Sequence, residues 1–175
     1  NTQRASLTLV KTVTNDHGGG ADATDWMLDA AGSTPLSGES GSAAVTNVLV
    51  LPGDYVLSES GGPLNYSAGS WGCTAGSIDG GAVVTLAPGE VATCSINNND
   101  DPAGLTLHKV VVNDDGGTAA NTEWTLSATG PVEISGMDGD ASITGATVSA
   151  GVYTLSESGG PTGYTAGTWS CEGGN

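Results

Sequence analysis

Apolar and polar residues alternate in short runs along the chain, and each run stops at a cluster of Gly, Asn or Asp. In the first run Leu7, Leu9, Lys11 and Val13 share one face. A period of two marks an extended strand whose alternate side chains point to opposite sides. The same reading predicts strands near 6–14, 24–31, 43–50, 53–60, 66–73, 81–87 and 90–98. Within the second of these, Thr24, Trp26 and Leu28 face one way, while Asp25, Met27 and Asp29 face the other. No segment sustains a helical period. The expectation is therefore all-β, with seven strands per unit in an antiparallel sandwich.

The pattern occurs twice. Leu7-Thr8-Leu9-Val10-Lys11 returns as Leu105-Thr106-Leu107-His108-Lys109, a shift of 109 − 11 = 98 residues. The shift holds for Trp26 and Trp124, Tyr55 and Tyr153, Glu59 and Glu157, Trp71 and Trp169, and Cys73 and Cys171. Two domains are expected, 1–101 and 102–175, joined by the short linker Asn99-Asp100-Asp101-Pro102-Ala103-Gly104. The second copy ends at the match of Ser77, so it is expected to be incomplete at its C-terminus and to lack its last two strands. An unpaired sheet edge of that kind is one that proteins normally avoid.

Charge narrows the function. Three Lys and Arg against 19 Asp and Glu give a formal net charge of −16. Such a surface repels nucleic acid and anionic membranes, and no stretch is apolar enough to span a bilayer. The chain has no Phe and 29 Gly among its 175 residues, so its core is lean. Lean cores of this size need covalent staples. Cys73 and Cys94 fall in the same repeat and can pair, which places the protein in an oxidising, extracellular setting. The match to Cys94 would be 94 + 98 = 192, so Cys171 is left without a counterpart.

The chemistry is concentrated at the lysines. The chain has only two, Lys11 and Lys109, and both occupy the same repeat position on a face of leucines. Glu59 alternates with Tyr55 and Leu57 on an inward face, and Asn98 with Ala92, Cys94 and Ile96. Burial disfavours the charged forms of both Lys and Glu. A neutral amine is a nucleophile, and a protonated Glu can polarise a carboxamide and pass protons to leaving ammonia. Lys11, Glu59 and Asn98 together are thus predicted to form a Lys–Asn isopeptide bond, once per domain and without turnover. The competing reading is a plain buried ion pair between Lys11 and Glu59.

The run Gly53-Asp54-Tyr55-Val56-Leu57-Ser58-Glu59, followed by Pro63-Leu64-Asn65-Tyr66, resembles the glutamate signature of collagen-adhesin B-type (CnaB-like) domains. Gly151-Val152-Tyr153-Thr154-Leu155-Ser156-Glu157 with Pro161-Thr162-Gly163-Tyr164 repeats it. The whole chain is similar to a tandem of SpaA-like prealbumin-fold domains of bacterial surface proteins. The resemblance implies a prealbumin-like, inverse-immunoglobulin sandwich and a stalk role in an adhesin, pilus or filament at the cell surface. Its partners would be neighbouring repeats of a longer chain, with a host or surface ligand as a further option. It implies Glu59 and Glu157 as promoters, Lys11 and Asn98 as the bonded pair, and Lys109 as a lysine whose partner lies outside the chain.

Other features are weaker. The loops Asn15-Asp16-His17-Gly18-Gly19 and Asn113-Asp114-Asp115-Gly116-Gly117 make Asp16, Asp114 and Asp115 candidate calcium ligands, and the linker's Asp100-Asp101 could share an ion with the second loop. Neither loop has EF-hand spacing, and ordinary turn chemistry explains both. His17 and His108 lack the clustering expected of a zinc site. No cofactor is otherwise called for, and no nucleophile–base arrangement points to a turnover enzyme. The four Trp are expected in the core, where aromatics contribute most buried area. Exposed, they would favour the rival reading, a module that binds a glycan or host matrix.

Overall fold

The computed structural model describes residues 3–174. The chain divides into two compact units, Asn1–Asp101 and Pro102–Asn175. Among the described residues both are all-β, with single 3-10 turns at Ala23–Asp25 and Asn121–Glu123.

Unit one is a two-sheet sandwich. Its strands are β1 (Ala5–Thr14), β2 (Trp26–Ala31), β3 (Leu36–Glu39), β4 (Val48–Val50), β5 (Gly53–Gly61), β6 (Tyr66–Ala68), β7 (Gly72–Cys73), β8 (Ser77–Asp79), β9 (Val83–Leu86) and β10 (Val91–Asp100). One sheet has the order β4-β1-β10-β6, with β7 also paired to β10, and the other β3-β2-β5-β9-β8. The alternation seen in the sequence sets the inward faces. Leu7 and Leu9 of β1, Leu28 and Ala30 of β2, Tyr55 and Leu57 of β5, and Ala92, Cys94 and Ile96 of β10 meet in one buried cluster.

Three details differ from the sequence reading. The run 43–50 yields a strand only at Val48–Val50. Val45 is buried within the preceding turn and accepts a hydrogen bond from Leu9 N–H at 2.8 Å, so a buried apolar residue there mimics strand alternation. The short edge strands β3 and β8 carry too few residues to show a period. Finally, one pairing is parallel: β1 and β10 run side by side from Ser6 opposite Val91 to Thr14 opposite Asn99. The unit's first and last strands therefore lie adjacent, with their starts at one end and their finishes at the other.

Unit two repeats part of this plan. Its strands are β11 (Ala103–Leu105), β12 (Trp124–Thr129), β13 (Ile134–Met137), β14 (Ala146–Val148) and β15 (Thr154–Gly159). They form two sheets, β11-β14 and β13-β12-β15. Leu107, Leu126, Ala128, Ile134, Ile143 and Val148 make its core. Val110 and Val112 are exposed, and no strand lies between 106 and 120 among the described residues.

Candidate cross-link site

Lys11 sits two residues beyond Leu9 on the inward face of β1, and only 3% of it is exposed. Its backbone N–H donates to Ser40 Oγ at 3.0 Å. Its ammonium crosses the sandwich and donates to Glu59 Oε2 at 2.6 Å. Glu59 is placed there by β5, where it lies opposite Leu28 of β2. The ring of Trp26 covers the amine, with its centroid 4.8 Å from Lys11 Nζ. Tyr66 packs edge-on against Trp26 at 5.5 Å. Gly62 makes this cover possible. Its φ is +79°, and an added Cβ would lie 2.2 Å from the indole.

Three consecutive asparagines, Asn97 to Asn99, precede the last residue of β10, and the fold separates them. Asn97 is on the outer face, where its Oδ1 accepts from Thr12 Oγ1 at 3.0 Å and Thr14 Oγ1 at 3.3 Å. Asn99 lies on the same outer side, opposite Thr14 and Ser67. Asn98 points inward and is 3% exposed. Lys11 is opposite Ile96, so Asn98 is one inward step further along the neighbouring strand. Its Oδ1 is buried without a hydrogen-bond partner. Leaving a buried carbonyl unpaired costs free energy; Asn99 Oδ1 and Ser42 Oγ share that state, but of the two carboxamides only Asn98 lies on the inward face of β10.

The second unit builds the same pair. Lys109 Nζ donates to Glu157 Oε2 at 2.6 Å, and the Trp124 centroid lies 4.8 Å from the amine. Trp124 in turn packs against Tyr164 at 5.4 Å. Here Asp138 replaces Ser40 and accepts from the Lys109 N–H at 2.8 Å, while also pairing with His108 Nδ1 at 2.6 Å. Lys109 is less buried than Lys11, with 15% of its side chain exposed against 0%. An open cleft of about 800 Å³ beside it is lined by Lys109, Glu157, Trp124 and Tyr164, among others.

Cys73 and Cys94 form a disulfide that joins β7 to β10. Cys171 is a free, exposed thiol. Trp26, Trp71 and Trp124 are buried, as the core reading expects. Trp169 departs from it at 38% exposed, because no strand covers the segment 160–174 as β10 covers Trp71 in unit one.

The acidic loops also differ from expectation. The buried carboxylate of Asp100 turns into unit one's own loop at 16–19. It accepts backbone hydrogen bonds from Asp16 at 2.9 Å, His17 at 2.9 Å and Gly19 at 2.6 Å. Burial pushes its pKa up, but the N–H groups of Gly19, His17 and Asp16 together outweigh that and hold it below the ordinary value. An added Cβ on Gly19 would lie 2.2 Å from Tyr66 Oη and 2.8 Å from Asp100 Oδ2, so the loop fits only with glycine there. Contrary to the sequence reading, His17 does cluster with possible ligands, Asp16 and Asp100. The β1–β10 pairing brings Asp100 there from 100 − 17 = 83 residues away, which local spacing does not reveal. With its oxygens already facing N–H donors, Asp100 has little left for a cation. Asp114 and Asp115 are exposed and join no such group among the described residues.

The chain matches the SpaA-type family described as a prealbumin-like fold domain twice, over residues 2–96 and 100–175. No curated protein and no solved structure matches it.

Proposed function

Since the chain belongs to the SpaA-type family of prealbumin-like fold domains, we propose that it is a structural stalk segment of an extracellular bacterial adhesin, pilus or filament. Each repeat is stiffened from within, and neighbouring repeats of the same longer chain are its partners. The observation that carries this reading is the covered Lys–Glu pair, made at 2.6 Å in both repeats by the chain's only two lysines.

In unit one the pair is set to make a covalent bond. A proton passes from the Lys11 ammonium to Glu59, leaving a neutral amine and a neutral acid. The amine attacks the Asn98 side-chain carbonyl carbon, and the protonated Glu59 donates to Asn98 Oδ1 as charge builds there. The bond from that carbon to the amide nitrogen breaks. Ammonia leaves as ammonium with the Glu59 proton, and Glu59 returns to carboxylate. The new Lys11–Asn98 amide links the unit's first and last strands. The reaction happens once, because it consumes the Lys11 amine and the Asn98 carboxamide.

Intact mass of the full chain after reduction tests this. The chain should be lighter than its sequence by one ammonia, and Lys11→Ala should carry the full mass expected for its own sequence. A wild-type chain at full mass after complete folding would sink the cross-link. The rival reading, a glycan- or matrix-binding module, has less support, since three of the four tryptophans are buried.

A further inference from the structure

The Cys73–Cys94 disulfide closes on the same strand, and the same inward face, as Asn98. Cys94 precedes Asn98 by 98 − 94 = 4 residues. Between them only Ile96 faces inward. A one-residue slip of β10 along β1 would turn its apolar residues out to solvent and is strongly disfavoured. A two-residue slip keeps the inward face and is not excluded by that rule. It would put Ile96 or Asp100 where Asn98 belongs. On its other side β10 is held by short pairings, two residue pairs with β7 and three with β6. The disulfide admits a single alignment of β10 on β7, Cys94 opposite Cys73, and with β10 held there its ladder with β1 has Asn98 one inward step past Ile96, the partner of Lys11.

We propose that the Cys73–Cys94 disulfide is a positioning element that gates the Lys11–Asn98 bond, so that the cross-link forms after oxidation. This rests on the isopeptide reading above. The two thiols lose two protons and two electrons to a small-molecule disulfide oxidant, which is reduced to two thiols. The amide formation that follows is redox-neutral. It joins Lys11 Nζ to the Asn98 carbonyl carbon and releases ammonia. The cross-link is then withheld while the chain is in a reducing compartment and completed outside it.

The test follows ammonia loss in the full chain made by cell-free synthesis under dithiothreitol. One portion stays reduced and one receives oxidised glutathione; aliquots are alkylated, denatured and weighed. The oxidised portion should lose ammonia at least about tenfold faster, since misplacing a reacting group by even an ångström costs up to about a hundredfold. The double variant Cys73→Ala, Cys94→Ala should be slow with or without oxidant. Leu36→Ala, a core truncation at the far edge of the opposite sheet, separates positioning from simple loss of stability. It should react near the wild-type rate. Equal rates in reduced and oxidised wild type, or a Leu36→Ala rate as low as that of the cysteine variant, would overturn the gate. Ammonia loss in no portion would instead remove the isopeptide reading itself, and the gate with it.

Discussion

A single residue type carries most of the chemistry. Lys11 is one of only three basic side chains against 19 acidic ones, yet it is buried. Ion pairs alone are a weak reason to bury an amine, because desolvation offsets their attraction. A reaction is a better one. Glu59→Ala should leave Lys11 buried without its carboxylate, retain the full amide nitrogen of Asn98, and lower the melting temperature. A loop closed between residues 11 and 98 by the proposed bond would be worth about 4–5 kcal/mol on the chain-entropy model. Differential scanning calorimetry beside intact mass checks both parts. Asp100 gives a pH signature. Its folded pKa is depressed, so its contribution is complete above the ordinary carboxylate range and is lost as pH falls through the folded value. Asp100→Asn should therefore be less stable than wild type at neutral pH, and the gap should shrink below about pH 4. Melting temperature against pH reads this directly; a constant gap down to strong acid would contradict it. The inward positions of Lys11, Glu59 and Asn98 were legible from alternation alone. The capture of Asp100 was not, because no local pattern links residue 100 to the loop at 16–19.

At the scale of elements, β10 organises unit one. It touches β1, β6 and β7, carries Cys94, Asn98 and Asp100 on one face, and so gathers the disulfide, the proposed acceptor and the loop anchor on a single strand. The exit of β5 is equally constrained. Gly62 holds a left-handed φ of +79° directly under Trp26. Gly62→Ala is expected to push the indole off Lys11 and to destabilise by about 1–3 kcal/mol, the range for overpacking a filled site. Trp fluorescence and urea unfolding would show it. Long strands such as β1, β5 and β10 were readable because a period of two persists over nine or ten residues. The three- and four-residue edge strands β3 and β8 were not, since so few positions cannot establish a period.

Across the whole molecule, the parallel pairing of β1 with β10 decides how unit one meets force. Tension arriving at Ala5 and leaving past Asp100 pulls the two strands in opposite senses along their shared ladder, which loads its hydrogen bonds in shear. A Lys11–Asn98 bond, as proposed, would carry the load between strands at that point and spare residues 12–97. Single-molecule pulling on the full chain should show unit one extending by only its few residues outside the cross-link. Lys11→Ala should restore the missing contour length. Reducing the disulfide should separately lower stability by about 3 kcal/mol for a loop of sequence separation 21. The strong negative charge suits such a role, because like-charged surfaces stay apart in solution.

Composition and alternation, without coordinates, determined the all-β class, the 98-residue repeat and the side chains that point inward. These are local properties, written by a two-residue period and by a conspicuous scarcity of basic residues. The tertiary structure decided which strands are neighbours. It set β1 beside β10 in parallel and brought Asp100 into a loop more than eighty residues away. Periodicity states which way a side chain faces. It is silent on which strand lies alongside, because pairing is a long-range choice made when the two sheets close over their common core.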